Sequence, residues 1–148
     1  MFILSLLKWR SGIKLSKKDL TGYSEVVAIG PVWGGLLIAP LRDAIRICKR
    51  AGKPMHVAVC CGTSDDDKEQ RWGYAQVLAS AKKAGGDIVR STEAFPVALV
   101  LTPEEYADAE TAQGTLLTAD NYAGAIEERV EQFVAGIAAA KAEDLLHA

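Results

Sequence analysis

The chain has 148 residues, a formal net charge of −2 at pH 7, and a hydrophobic fraction of 49%. This length fits one domain over residues 1–148, and the apolar content is sufficient to bury a core. The nearly balanced charge argues against a general nucleic-acid binder.

The first residues combine an apolar start, MFILSLLK, with a local excess of basic side chains at Lys8, Arg10, Lys14, Lys17 and Lys18. The apolar stretch is too short to span a bilayer and lacks a basic start and a cleavage site, so we expect no membrane partner. Residues 1–18 are interpreted as a basic segment whose simplest role is a solvated face. The three cysteines, Cys48, Cys60 and Cys61, show no paired spacing, which favours reduced thiols and a cytoplasmic location.

The first strand is predicted at residues 25–29, where four apolar residues follow one another without alternation. Such a run is typical of a parallel strand that is covered on both faces. A helix is predicted next, because Pro40 suits a first turn and Gly52 follows the last apolar position. A second strand, again apolar throughout, is predicted at residues 55–61.

The three aspartates at residues 65–67 favour a helix N-terminus, and the helix that follows is expected to bury Tyr74 and to end near residues 85–86. Strand material is predicted at residues 87–90 and 94–101, which Pro96 places at a sheet edge or breaks in two.

Residues 102–105, Thr-Pro-Glu-Glu, form a strong helix start. A last helix carries apolar residues at helical spacing between Ile126 and Ile137. Since strands alternate with helices along the chain, the predicted fold class is α/β, with a parallel sheet and right-handed crossovers.

Two glycine-bearing loops follow the first two strands, at residues 30–35 and 60–63. In open parallel sheets, ligands bind beyond the carboxyl ends of strands, and small residues let a flat ligand approach backbone N–H groups. Trp33 can stack on such a ligand, and Trp72 or Tyr74 can cover its other face. The simpler alternative is that Trp33 only packs its own loop.

Residues 19–35, DLTGYSEVVAIGPVWGG, resemble flavodoxin-like proteins, and the resemblance continues through the strand ending in CCGT to around residue 100. It implies a three-layer sandwich that binds FMN for electron transfer or flavin-dependent reduction, with a redox partner or small-molecule electron acceptor. The flavin would perform the chemistry, so no catalytic side chain is implied. The cofactor-binding residues that the resemblance implies are Gly30, Pro31, Val32, Trp33, Gly34, Cys61, Gly62 and Thr63.

One part of the family pattern has no counterpart before Val26. Flavodoxin-like proteins begin with a strand and a Ser/Thr-Gly loop at a helix N-terminus, which holds the FMN phosphate. We therefore interpret the chain as an N-terminally truncated flavodoxin-like domain, whose first strand would leave an apolar edge open. Three outcomes remain: the sequence is a fragment, residues 2–7 supply a substitute strand, or a second copy covers the edge in a homodimer.

Other functions also fit the sequence. A flavin-free flavodoxin-like interaction module, or a truncated remnant without redox activity, accounts for the same residues. A thiol enzyme that uses Cys60 or Cys61 is a weaker alternative, because no histidine lies near enough in sequence to activate the sulfur. His56, at the start of its strand, is expected to be structural. The aspartates at 65–67 make a poor metal site, because consecutive side chains point in different directions.

Overall fold

The computed structural model describes residues 13–101, 104–105, 117–120 and 122–146, with side chains described up to residue 142. Among the residues described, three parallel strands and the three α-helices whose bounds can be given make up a three-layer α/β arrangement, which confirms the predicted fold class and is compatible with a flavodoxin-like sandwich. The strands are β1 (Val26–Pro31), β2 (Met55–Cys61) and β3 (Val89–Pro96), and the helices are α1 (Ala39–Ala51), α2 (Ala75–Gly85) and α3 (Ala125–Leu146).

The sheet is open, and its strands lie side by side in the order β1-β2-β3. Val26 of β1 is paired with Met55 of β2, and Cys60 near the end of β2 is paired with Phe95 of β3. All three carboxyl ends therefore meet along one border of the sheet. The predicted edge position of the strand that contains Pro96 is confirmed.

Helices α1 and α2 cover one face of the sheet and form the main core with it. Ile45 and Cys48 of α1, Val77 of α2, and Val57 and Val59 of β2 are each at most 1% exposed. Burying such side chains typically contributes about 1.5–3 kcal/mol each. This apolar layer fixes the inner ends of the loops that leave β1 and β2.

Helix α3 covers only part of the opposite face. The ring of Phe133 stands edge-on to Phe95, with the ring centroids 5.9 Å apart, and edge-on to His56 at 6.4 Å. Val27 and Ile29 of β1 lie on the same face and are 47% and 59% exposed. The predicted coverage of both faces is thus confirmed for most of β2 and wrong for β1, because α3 packs over β2 and β3 only.

Two predicted boundaries also differ. The aspartates at 65–67 lie in a series of turns, and α2 begins only at Ala75. The strand predicted to reach residue 101 ends at Pro96, which has no N–H for the ladder, and Val97–Leu99 form a 3-10 turn. The predicted helix start at residues 102–105 lies outside the described residues, apart from helical positions 104 and 105. No helix in the described part of the chain is both long and apolar enough to cross a bilayer.

His56 is fully buried under α3, which agrees with its predicted structural role. Its Nδ1 lies 2.7 Å from the Ser91 hydroxyl, and its Nε2 lies 3.7 Å from a Glu25 carboxylate oxygen. Burial lowers the pKa of His56 below its ordinary value, and the nearby Glu25 charge only partly opposes this shift. The imidazole is therefore neutral in the folded protein at pH 7.

Acidification is expected to destabilise the fold through His56. Unfolded chains protonate this histidine near pH 6.5, whereas the folded protein resists protonation, so stability is complete above that pH and is lost below it. Between pH 7.5 and 5.5 the free energy of unfolding should fall by about 1 kcal/mol more in the wild type than in a His56→Gln variant. Urea denaturation at both pH values measures this difference, and identical pH dependence in the two proteins would contradict it.

Candidate functional site

The predicted site lies at the border where the strands end. The first loop, residues 32–36, leaves β1, and the second loop, residues 62–74, leaves β2. The N–H of Val32 donates to the carbonyl oxygen of Cys60 over 2.8 Å, so the two loops start side by side. The structure thus brings together the two segments that the sequence singled out.

The first loop is a tight turn with an indole at its tip. The N–H of Leu36 donates to the carbonyl oxygen of Trp33, and Gly34 and Gly35 adopt positive φ values of 58° and 64°. A Cβ added to Gly35 would lie 2.7 Å from the carbonyl oxygen of Arg71, so the two loops are in direct contact. Trp33 is 39% exposed, which leaves part of its ring available to a ligand.

A buried thiol ends β2, and an exposed glycine begins the second loop. The Cys61 side chain is 8% exposed, and its Sγ approaches the carbonyl oxygen of Thr63 at 3.7 Å. Gly62 between them is exposed. The Thr63 Oγ1 is buried and has no hydrogen-bond partner among the described residues. Because a buried hydroxyl without a partner is unfavourable, this oxygen is suited to meet a polar group of a ligand.

Of the two aromatic residues predicted to cover a second ring face, only Trp72 is available. Trp72 is 55% exposed, and the Arg71 guanidinium lies 4.6 Å from the centre of its ring. Tyr74 is 7% exposed, and its hydroxyl donates to Asp65. The proposed stacking role is therefore wrong for Tyr74, because its ring belongs to the core.

The other predicted residues of the first loop contribute mainly backbone and packing. Gly30 lies inside β1, facing Ile38 and Leu41 at the start of α1. Pro31 is the last residue of β1 and is exposed, whereas Val32 packs partly against the core. Trp33 and Gly34, which are exposed, thus present most of the loop surface.

An ion-pair network that was not predicted from the sequence anchors the second loop. Arg129 of α3 donates to both carboxylate oxygens of Asp65, over 3.0 and 2.5 Å, and also to the backbone carbonyl of Ala94. The Tyr74 hydroxyl donates to the same carboxylate. Since Asp65 and Arg129 are 64 positions apart, no local pattern in the sequence could have paired them.

The network also fixes the charge of its members. The hydrogen bonds from Arg129 hold the pKa of Asp65 at about 2, even though burial acts in the opposite direction. Burial and the neighbouring carboxylate raise the pKa of Tyr74 to about 12. Asp65 is therefore an anion and Tyr74 a neutral donor at pH 7, which suits a structural anchor better than acid–base catalysis.

A small cleft lies beside this network, lined by Leu99, Ala125, Glu128, Arg129 and Gln132. Its volume of about 150 Å³ is well below the range of roughly 300–1,000 Å³ that small-molecule pockets occupy. Arg129, its cation, is already paired with Asp65. We assign no ligand to this cleft.

The two neighbouring cysteines do not form a reactive thiol site. Cys61 is buried and Cys60 is exposed; partial desolvation at the sheet border raises the pKa of both thiols, so both stay protonated at neutral pH. His56 sits near the opposite end of β2 and contacts Ser91. These observations weigh against the thiol-enzyme alternative.

Comparison of the chain with protein-family models, curated proteins and solved structures gives no match. The site is therefore interpreted from its own geometry. That geometry is a junction of two loops at adjacent strand ends, with exposed indoles and an unpaired hydroxyl.

Proposed function

We propose that the two loops bind the ring of a flavin, of which FMN is the leading candidate. We further propose that the protein is a flavodoxin-like cytoplasmic protein that acts in electron transfer or flavin-dependent reduction. The observation that carries this proposal is the partly exposed Trp33 on a loop that directly contacts the loop of Gly62 and Thr63. A second protein or a small electron acceptor would be the redox partner.

The residues present fit the ring of a flavin. Trp33 offers an apolar wall for stacking, and Trp72 is exposed on the neighbouring loop. The hydroxyl of Thr63 can donate or accept, which matches the alternating N–H and C=O groups at the pyrimidine edge of the ring. A bound flavin supplies the one- and two-electron chemistry, whereas the chain's own residues bind the ring, orient it and exclude water from one face.

The residues present do not fit the phosphate of FMN. Before β1, the described chain contains a 3-10 turn at Lys18–Leu20 and no glycine-rich loop that opens an α-helix. Anions bind at such helix N-termini because free backbone N–H groups point at them. We therefore assign recognition to the ring and no residue to the phosphate.

Titration with FMN, followed by quenching of flavin fluorescence, tests the proposal. Replacing Trp33 with alanine is expected to raise the dissociation constant at least about tenfold, because the stacking surface is lost. Tyr23→Ala is the matched control, since Tyr23 is 65% exposed and precedes β1 at the opposite end of the strand. Its affinity should equal that of the wild type.

Riboflavin, which has the same ring without the phosphate, is the matched ligand. With recognition assigned to the ring, its dissociation constant should lie within about threefold of that of FMN. No fluorescence change and no thermal shift with either ligand at high concentration would refute flavin binding. A Trp33→Ala variant that binds as tightly as the wild type would remove Trp33 from the site.

A flavin-free interaction module is the second candidate, and one specific observation favours it. Val27 and Ile29 form an exposed apolar strip on β1, 47% and 59% exposed, outside the two loops. Exposed apolar patches of this kind mark contacts with other proteins. A chain that binds no flavin would retain this surface as its principal functional feature.

A further inference from the structure

The outer side of β1 is an unpaired strand edge within the described residues. The N–H of Val26 donates to the carbonyl oxygen of Pro54 over 3.0 Å, and the N–H of Val32 donates to that of Cys60 over 2.8 Å. Both hydrogen bonds point toward β2. Backbone groups of a strand alternate between its two sides, so Val27 and Ile29 direct their N–H and C=O groups outward. These groups form a template for another strand.

Between Val26 and Gly30 the side chains on this edge do nothing to prevent pairing. No residue from Val26 to Pro31 is charged, and the exposed members Val27 and Ile29 are β-branched. β3, at the opposite edge of the sheet, carries the charged residues Arg90 and Glu93 and ends in a proline. Charges and proline are common ways of protecting an edge; both edge strands end in a proline, and of these two strands only β1 lacks charges.

We propose that a second copy of this chain occupies the β1 edge, forming a two-fold homodimer with one continuous six-stranded sheet. The two copies of β1 run antiparallel, with the two-fold axis at Ala28. Val27 then faces the partner's Ile29, and Ile29 faces the partner's Val27. Two pairs of residues with outward backbone groups exchange two hydrogen bonds each, which makes four across the junction.

This register is the favourable one for charge and for backbone pairing. It sets Glu25 opposite the partner's Pro31, so no two like charges meet. Shifting the axis to Ile29 would instead oppose Val27 and the partner's Pro31, which lacks an N–H, so each of those two pairs would make one hydrogen bond rather than two. The Ala28-centred register also joins the four exposed apolar side chains into one cluster on the side of the sheet that α3 leaves open.

The interface is a short strand pair with four apolar side chains, so the dimer is concentration-dependent. Sedimentation velocity of the full chain should show a mass of twice 15.8 kDa at about 100 μM and dissociation on dilution. Ile29→Lys should raise the dissociation constant by more than about tenfold, because two lysines would meet the apolar cluster. The matched control is Val134→Lys, which alters a 57% exposed residue of α3 and should leave the dimer unchanged.

A second variant keeps the test decisive if Ile29→Lys fails to fold by circular dichroism. The double replacement of Val27 and Ile29 by threonine retains β-branched residues and removes the apolar cluster, and it should also weaken the dimer.

In a Cys60→Ser background, Ala28→Cys should form an intermolecular disulfide, since the two copies of residue 28 meet at the two-fold axis. A monomeric wild type at this concentration, or no weakening by either variant, would overturn the proposal. Flavin binding is measured separately, so neither result decides the other.

Discussion

Replacing Gly73 with alanine is expected to lower the free energy of unfolding by about 3 kcal/mol. A Cβ at this position would lie 2.0 Å from the carbonyl oxygen of Lys68 and 2.7 Å from that of Asp67. Both are backbone atoms of the same loop, so the clash cannot be relieved by a side-chain rotation. Thermal or urea denaturation measures the effect.

Gly136 is the matched control, because a Cβ there meets nothing within 4 Å. It lies in α3 and is exposed, so alanine should raise the free energy of unfolding by roughly 0.5–1 kcal/mol through its better helix propensity. Equal effects at the two glycines would show that Gly73 is not tightly enclosed. The Gly73→Ala replacement should also weaken the binding of any ligand that contacts the second loop, because the loop must move to relieve the clash.

Replacing Arg129 with alanine is expected to cost about 2 kcal/mol at pH 7. The change removes two charge-assisted hydrogen bonds to Asp65 and one to the Ala94 carbonyl. The Asp65 side chain is 41% exposed and solvent screens it, so the cost is below the 3–5 kcal/mol typical of fully buried pairs. Urea denaturation of the variant and the wild type gives the difference.

The pH dependence identifies the cause. Asp65 has a pKa of about 2 when folded, compared with 3.8 ordinarily, so its contribution is present above pH 4 and is lost as the pH falls toward 2. The difference between wild type and Arg129→Ala should shrink over that window. Arg129→Lys should recover only part of the stability, because an ammonium group cannot make the paired contact. Arg50→Ala, at an exposed position of α1, should change stability by less than about 0.5 kcal/mol. A loss at Arg129 that stays constant down to pH 2 would contradict this cause.

The sequence was sufficient to predict β1 and β2 to within two residues at each end and to place strand material within β3. β2 was predicted at its observed bounds, because an apolar run of this length with flanking turn residues has few other solutions. The junction of the two loops followed from the rule that carboxyl ends of parallel strands share a border. The helical spacing from Ile126 to Ile137 likewise predicted α3, whose Ile126 and Phe133 are buried, whereas Val134 of the same set is 57% exposed.

What could not be predicted depends on contacts between distant segments. The run of apolar residues in β1 gave no indication that α3 would leave Val27 and Ile29 open, since coverage depends on where a helix packs. The pairing of Asp65 with Arg129 depends on the same placement of α3. So does the position of Tyr74, whose hydroxyl donates to Asp65 and whose ring is therefore not available to a ligand. The end of β3 at Pro96 was within reach of sequence reasoning, because proline was recognised there as a possible break.

The spatial order of the strands is also the order in which the ribosome makes them. β2 can join β1 as soon as it emerges, and β3 can then join β2, so the sheet can grow by one strand at a time from its N-terminal edge. Phe133 is synthesised last among the groups that cover His56 and Phe95. During translation, His56 and Phe95 therefore lack the covering ring of α3 until Phe133 has been made.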